Sequence, residues 1–231
     1  MSDPIDLTKP HRTIQVGIIL MNSKTEVLDL APIDLLNGMT LDFIGDFPPE
    51  VMPDEIKAKA VDMEFHWVNE TGETAKLTAG LNILPTDTFA TCPPLDITLM
   101  GACALTYKPT DSELEFIRKS YENCTAFLNI CAGMIQAQKA GILKDKTCTG
   151  PRGMLPMFKA QSPETTWLEK RYVQDGKIWT SGALLNGLEM MRAFVTQTWG
   201  SEGPGVLAQF GLELGHFPDR DVDYKDAASS I

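Results

Sequence analysis

Cys131 is the residue with the clearest capacity for covalent chemistry. It follows an apolar run, residues 126–130 (AFLNI), and opens a stretch of helical pattern that reaches about Ala140. The run reads as a strand. Cys131, Ala132 and Gly133 are small enough for a tight strand-to-helix bend that presses one side chain into the open. That is the layout of a nucleophile elbow, with sulfur in place of oxygen. The amides and positive pole of a helix start favour a thiolate, bringing a cysteine pKa from about 8.5 to roughly 7.5 or lower. The same N–H groups can hold negative charge that develops on a substrate atom. The alternative reading of Cys131 is a small buried hydrophobe.

Two acids, Glu26 and Asp29, lie just beyond the first apolar run. If that run is a central strand, they reach the same sheet edge as Cys131. A carboxyl group beside a thiol is raised in pKa by the sulfur's negative charge and can shuttle a proton. Solvated acids at a helix start are the competing reading. A third loop, Met100-Gly101-Ala102-Cys103, follows another predicted strand, and its small residues let backbone N–H groups approach a ligand. The histidines add little. His11 falls in the N-terminal stretch, His66 alternates with Phe65 and Trp67 as a packing or capping residue, and His216 lies near the C-terminus. No His/Asp/Glu cluster has metal-ligand spacing, and glycine-rich phosphate motifs are absent.

The elements that must position these residues alternate along the chain. Residues 14–21 (IQVGIILM) read as a strand buried on both faces. Residues 25–37 suit a helix, with Pro32 forcing a kink or a late start. Residues 45–54 are a surface excursion, followed by a short helix over 54–60. Strands are predicted at 63–68, 81–84 and 96–100. Residues 110–123 form a helix opened by a Thr110/Glu113 capping box. Asp175-Gly176 sits between β-prone residues as a hairpin turn, and Leu188, Met191, Val195 and Thr198 line a last long helix. This order predicts an α/β three-layer sandwich with a mainly parallel central sheet. One domain is expected over residues 13–217, flanked by an N-terminal tail (1–12) and an acidic C-terminal tail (218–231), the latter loose or packed across the surface.

Composition narrows the partners. The 231 residues carry 31 acids against 20 Lys and Arg, a net charge of −11. Such a chain has no general attraction for nucleic acid or anionic lipid. No apolar run approaches the roughly 20 residues that span a bilayer. The five cysteines, Cys92, Cys103, Cys124, Cys131 and Cys148, are odd in number and form no Cys-x-x-Cys pair. Free thiols without a signal peptide fit the cytoplasm or the nucleus.

Taken together, these residues resemble the ThiJ/PfpI superfamily, relatives of the class I glutamine amidotransferase domain with a flavodoxin-like sandwich. Ile130-Cys131-Ala132-Gly133 matches its cysteine elbow. The stretch Glu26-Val27-Leu28-Asp29-Leu30-Ala31-Pro32 resembles its acid-bearing first loop. Thr78-Ala79-Gly80-Leu81-Asn82-Ile83-Leu84-Pro85 resembles the segment before its third strand, and residues 96–102 the strand that ends in an oxyanion loop. Asp175-Gly176-Lys177-Ile178-Trp179-Thr180-Ser181-Gly182 with Gly187-Leu188-Glu189 resembles the late hairpin and helix of the isonitrile-hydratase-like branch, especially its fungal members. The likeness runs through about residues 13–200.

The resemblance implies a homodimeric, cofactor-independent enzyme acting on a small electrophile, most like an isonitrile hydratase. Cys131 would be the nucleophile and Asp29 the acid beside it. The amides of Ala132 and Ala102, with Gly101, would form the oxyanion site. In the hydratase branch the acid lies in a Leu-Asp-x-x-Gly-Pro pattern, and Leu28-Asp29-Leu30-Ala31-Pro32 is one residue shorter. Aligning on Leu28 selects Asp29; aligning on Pro32 places Leu28 there and leaves Glu26 as the substitute. Bacterial members carry Thr where this chain has Ala132. Relatives of the glyoxalase and protease branches place a His in the loop that here reads Thr147-Cys148-Thr149-Gly150-Pro151-Arg152. Its absence makes a glyoxalase-type lyase the weaker alternative. Arg152 is a candidate for binding a substrate carboxylate or carbonyl, with a surface ion pair the favoured reading. A rival function is a redox-responsive or chaperone-like dimer whose Cys131 oxidises.

Overall fold

The computed structural model describes residues 5–226; the outer ends of the two expected tails, 1–4 and 227–231, lie outside the described residues. Among the described residues, seven strands build the central sheet: β1 (Ile14–Ile19), β2 (Met63–Asn69), β3 (Asp87–Thr88), β4 (Ile97–Met100), β5 (Ala126–Asn129), β6 (Tyr172–Asp175) and β7 (Ile178–Ser181). Their spatial order is β6-β7-β5-β4-β1-β2-β3. Every pairing is parallel except the β6–β7 hairpin, which turns at Gly176-Lys177 as the Asp175-Gly176 signal predicts.

The alternation of side chains along each strand divides the core in two. Val16, Ile18, Leu99 and Leu128 join one apolar cluster, while Ile19, Met100 and Phe127 join the other. Helices α6 (Asn186–Trp199) and α7 (Gly205–Leu214) cover the first face with Met190, Met191, Phe194 and Leu207. On the second face, α3 (Asp111–Asn123) brings Phe116 and Ile117, and α4 (Met134–Lys139) brings Met134, Ile135 and Ala137. Both faces of the sheet are therefore dry, which is why its inner strands read as unbroken apolar runs. The capping box on α3 is formed: Thr110 accepts from the Glu113 amide, and the Glu113 carboxylate accepts from the Thr110 amide at 2.7 Å.

Three sequence expectations change in detail. The helix expected over 25–37 splits into α1 (Val27–Leu30) and α2 (Ile33–Asn37), because Pro32 has no N–H to continue the ladder. The strand expected at 81–84 shrinks to Asn82–Ile83 and pairs with Ala75–Lys76 outside the main sheet; the edge strand is β3 instead. Within the stretch read as an N-terminal tail, Ile5 and Leu7 are buried, and the Leu7 carbonyl accepts from the Trp199 indole at 3.0 Å. The helix α5 (Leu155–Gln161) packs Leu155 and Phe158 into the second cluster.

The chain runs from β1 outward to β2 and β3, then returns to the other side of β1 to lay down β4, β5 and β7. The sheet therefore switches direction between β1 and β4. Loops diverge there at the carboxyl ends of the parallel strands, the place where sites form in open sheets of this kind.

Candidate active site

Four neighbouring parallel strands, β7, β5, β4 and β1, send their following loops to this one edge. Cys131 is the first residue beyond Ile130 at the end of β5, and it opens a 3-10 turn, Cys131–Gly133, that runs into α4. Its φ is +57°, in the left-handed region that a side chain rarely adopts. The bend is held by its own amide, which donates to the Gly182 carbonyl at 3.0 Å. A strained, over-determined residue at a strand-to-helix junction is what the elbow reading requires.

The acid arrives from the loop after β1. The Glu26 amide donates to the Ala102 carbonyl at 2.8 Å, and the Ala102 amide donates back to Asp29 Oδ2 at 2.8 Å. This reciprocal pair clamps the start of α1 onto the loop beyond β4. Gly101 is needed for the close approach: a Cβ there would sit 2.7 Å from the Asp29 Cβ. Asp29 is fully buried, its Oδ1 makes no hydrogen bond of regular geometry, and the Cys131 side chain lies close enough to hydrogen-bond to the carboxyl, short of that geometry. Glu26 stands further out, where its carboxylate accepts from the Thr78 hydroxyl at 3.0 Å. It acts on the pair through its charge. Between the two acids that the sequence leaves open, Asp29 is the one against the thiol.

Burial pushes the Asp29 carboxyl up to about 6; Glu26's charge adds to this, while the Ala102 amide and the Cys131 thiol pull the other way. Burial also pushes the Cys131 thiol up to about 11, helped by the negative charges of Asp29 and Glu26. The amides of Ala132 and Leu184 act on the sulfur in the opposite sense. The expectation of a thiol lowered by its helix start is thus corrected. The elbow amide of Ala132 and the loop amide of Leu184 are outweighed by desolvation and two nearby carboxylates.

The remaining sequence candidates are placed as follows. The Ala132 amide acts on the Cys131 sulfur. The Ala102 amide is engaged by Asp29, so it positions the acid rather than presenting a free donor. Arg152 pairs with Glu169 (2.7 Å) and lies 4.5 Å over the Tyr224 ring. His66 is held between Asp87 (2.8 Å) and Gln15 (2.7 Å). Among the described residues no group of three His, Cys, Asp or Glu side chains is placed to hold a metal ion, and no helix is long and apolar enough to cross a membrane.

Sequence reasoning missed the fourth loop. Leu184, at φ +39°, turns its amide toward the Cys131 sulfur, and Gly182 anchors the Cys131 backbone. The signal was available: Ser181-Gly182-Ala183 follows a strand with the same run of small residues that marks the loops after β4 and β5.

A family model described as the DJ-1/PfpI family matches residues 51–197, more than half of the chain. Isonitrile hydratase from Pseudomonas putida is 26% identical over 183 residues, which cover 77% of this chain and 78% of that one. Among solved structures, a ThiJ/PfpI family protein from Pseudomonas syringae superposes with a TM-score of 0.69 at 19% identity, over 90% of this chain and 77% of that chain. Drosophila melanogaster DJ-1beta superposes with a TM-score of 0.66 at 16% identity, over 90% of this chain and all of that one.

Proposed function

Because the chain belongs to the DJ-1/PfpI family, we propose that it is a cofactor-independent cysteine enzyme that hydrates a small electrophile, an isonitrile giving an N-substituted formamide. The observation that carries this reading is the buried Asp29 carboxyl lodged against the Cys131 thiol.

The pair suits an electrophile that must be attacked and protonated at one carbon. Asp29 takes the thiol proton as sulfur bonds to the terminal isonitrile carbon. In doing so it loses the negative charge that holds the thiol protonated, so transfer relieves the repulsion that opposes it. Asp29 then gives the proton to the same carbon, leaving an S-linked thioimidate on Cys131. Water adds to that carbon, the C–S bond breaks, and the formamide leaves as the thiol regains a proton. The balance is isonitrile plus water to formamide, with no oxidant or reductant. The Ala132 amide, already at the sulfur, is positioned to steady charge near the reacting carbon.

The rival redox-sensor reading draws on a low-pKa thiolate, and the raised Cys131 thiol disfavours it. A homodimer belongs to the proposal: Leu81 and Leu84 are exposed at a groove also lined by Val27, Trp67 and Ile83. So does residence in the cytoplasm or nucleus, from five free cysteines.

The test is direct. The purified protein is incubated with cyclohexyl isocyanide and formamide production is followed. Cys131→Ala and Cys131→Ser are expected to fall to the uncatalysed background, with circular-dichroism melting curves like the parent. Full turnover in either variant, or none in the parent, overturns the assignment.

A further inference from the structure

The C-terminal segment, expected as an acidic tail, is tied down along its described length. Arg171 is buried and is the main tie. Its amide donates to the Val222 carbonyl at 2.8 Å, and its guanidinium donates to the carbonyls of Asp221 and Asp223 and to the Asp226 carboxylate. Arg192 pairs with Asp219, Lys170 with Asp223, and Arg220 with the buried Glu189. The Tyr224 ring lies between two guanidinium groups, Arg152 at 4.5 Å and Arg171 at 4.7 Å, an arrangement in which ring and cations attract.

This segment connects to the reacting residue along the backbone and packs by side chains on the loop beside it. Along the backbone, Arg171 donates to Val222, Gly182 donates to the Arg171 carbonyl at 2.8 Å, and Cys131 donates to the Gly182 carbonyl at 3.0 Å. Through side chains, the Tyr224 hydroxyl donates to Asn186 Oδ1 at 2.9 Å, and Asn186 Nδ2 donates to Glu189 at 2.7 Å. A Cβ at Gly182 would meet both the Tyr224 hydroxyl and Asn186 Oδ1 at 2.5 Å. Tyr224 therefore packs on the loop that carries the Leu184 amide.

We infer that residues 219–226 form a strap that completes the Cys131 site, with Tyr224 as its positioning residue: by holding Asn186 and Gly182 it keeps the Leu184 amide facing the sulfur. The inference rests on the reading of Cys131 as the reacting group and extends the machinery to a segment far along the chain. Four groups act on the sulfur. The carboxylates of Asp29 and Glu26 come from the loop after β1, the Ala132 amide from the elbow, and the Leu184 amide from the loop after β7. The strap governs the last of these. Burial holds the Tyr224 hydroxyl above its ordinary pKa.

The test reads the thiol directly and needs no substrate. Alkylation of Cys131 by iodoacetamide is followed by mass spectrometry of the Cys131 peptide as pH is raised. Deleting the strap would take the Asp226 carboxylate and two carbonyls from the buried Arg171 and the Arg220 partner from the buried Glu189, so the deciding variant is Tyr224→Phe, which keeps the ring and removes the hydroxyl bond. A sulfur that loses a donating N–H is expected to titrate about half a unit higher, with alkylation below the midpoint slowed about threefold. Lys225→Ala, which breaks only an exposed pair with Asp221, is expected to leave the profile unmoved. A Tyr224→Phe profile that overlays the parent, with or without a lower melting temperature, overturns the proposal, as does an equal shift in Lys225→Ala. Because the readout is alkylation, a parent without isonitrile turnover sinks the proposed reaction and leaves this result separately legible.

Discussion

Two buried aspartates stand at opposite edges of the same sheet, and their surroundings differ. Asp96, just before β4 at the amino edge, accepts two bonds from the Arg12 guanidinium (2.6 and 2.8 Å) and one from the Gln15 amide (2.9 Å). Asp29, beyond β1 at the carboxyl edge, has one amide, a neighbouring acid and a thiol. Burial is nearly equal, at 3% and 0% exposed. The difference lies in the compensation. A carboxylate given a cation and a full set of donors serves as a tie; one left short of donors has its affinity for a proton raised and becomes available for proton transfer. The parallel sheet supports this division, since the loops that converge on a site gather at its carboxyl edge.

The largest expected effect that sharpens this contrast is Asp29→Asn. Asn keeps the bond from Ala102 and cannot exchange a proton, so turnover is expected to fall by about 100-fold or more. Stability should move the other way. The folded carboxyl, at about 6, stands above its unfolded value of 3.8. Between these values the folded state binds the extra proton, so stability declines as pH rises from about 4 to about 6 and stays reduced above. At pH 7 a shift of this size corresponds to a penalty of about 3 kcal/mol. Asn removes it, and a higher melting temperature at pH 7 is the expected readout. A variant both inactive and less stable would break the contrast.

Next in size is Arg12→Ala at the opposite edge. It leaves the Asp96 carboxylate buried with its main partner gone, at an expected loss of about 1–3 kcal/mol in denaturant unfolding. Turnover per folded molecule should not change. Smallest is the pH dependence of the parent. If Asp29 must be ionised to receive the thiol proton, the turnover rate falls about tenfold per unit as pH drops below about 6. A rate profile flat from pH 5 to 8 would remove Asp29 from the proton path.

Much of the fold was legible because strong local signals carried it. The apolar runs at β1, β4 and β5, the Thr110/Glu113 box and the Asp175-Gly176 turn each state a preference that tertiary packing had no reason to override. The two-residue strands were not legible, since Asp87 and Thr88 carry no periodicity and pair only because β2 offers them an edge. In the site, Cys131 announced itself through its small neighbours and its place after a strand. The choice between Glu26 and Asp29 could not be read, because one residue of loop length decides which acid turns inward. The protonated thiol was also invisible, as desolvation is a property of everything packed around the sulfur.

The sequence by itself determined the alternation of strands and helices, the elbow at Cys131 and the presence of acids near the first strand, because these follow from side-chain pattern and backbone preference within a few residues. Only the tertiary structure decided which acid meets the thiol, how many donors it keeps, and that Tyr224 packs beside the loop from β7. Those depend on groups brought together across roughly 40 to 100 residues of chain, where distance and solvent exclusion set the chemistry and no local pattern records them.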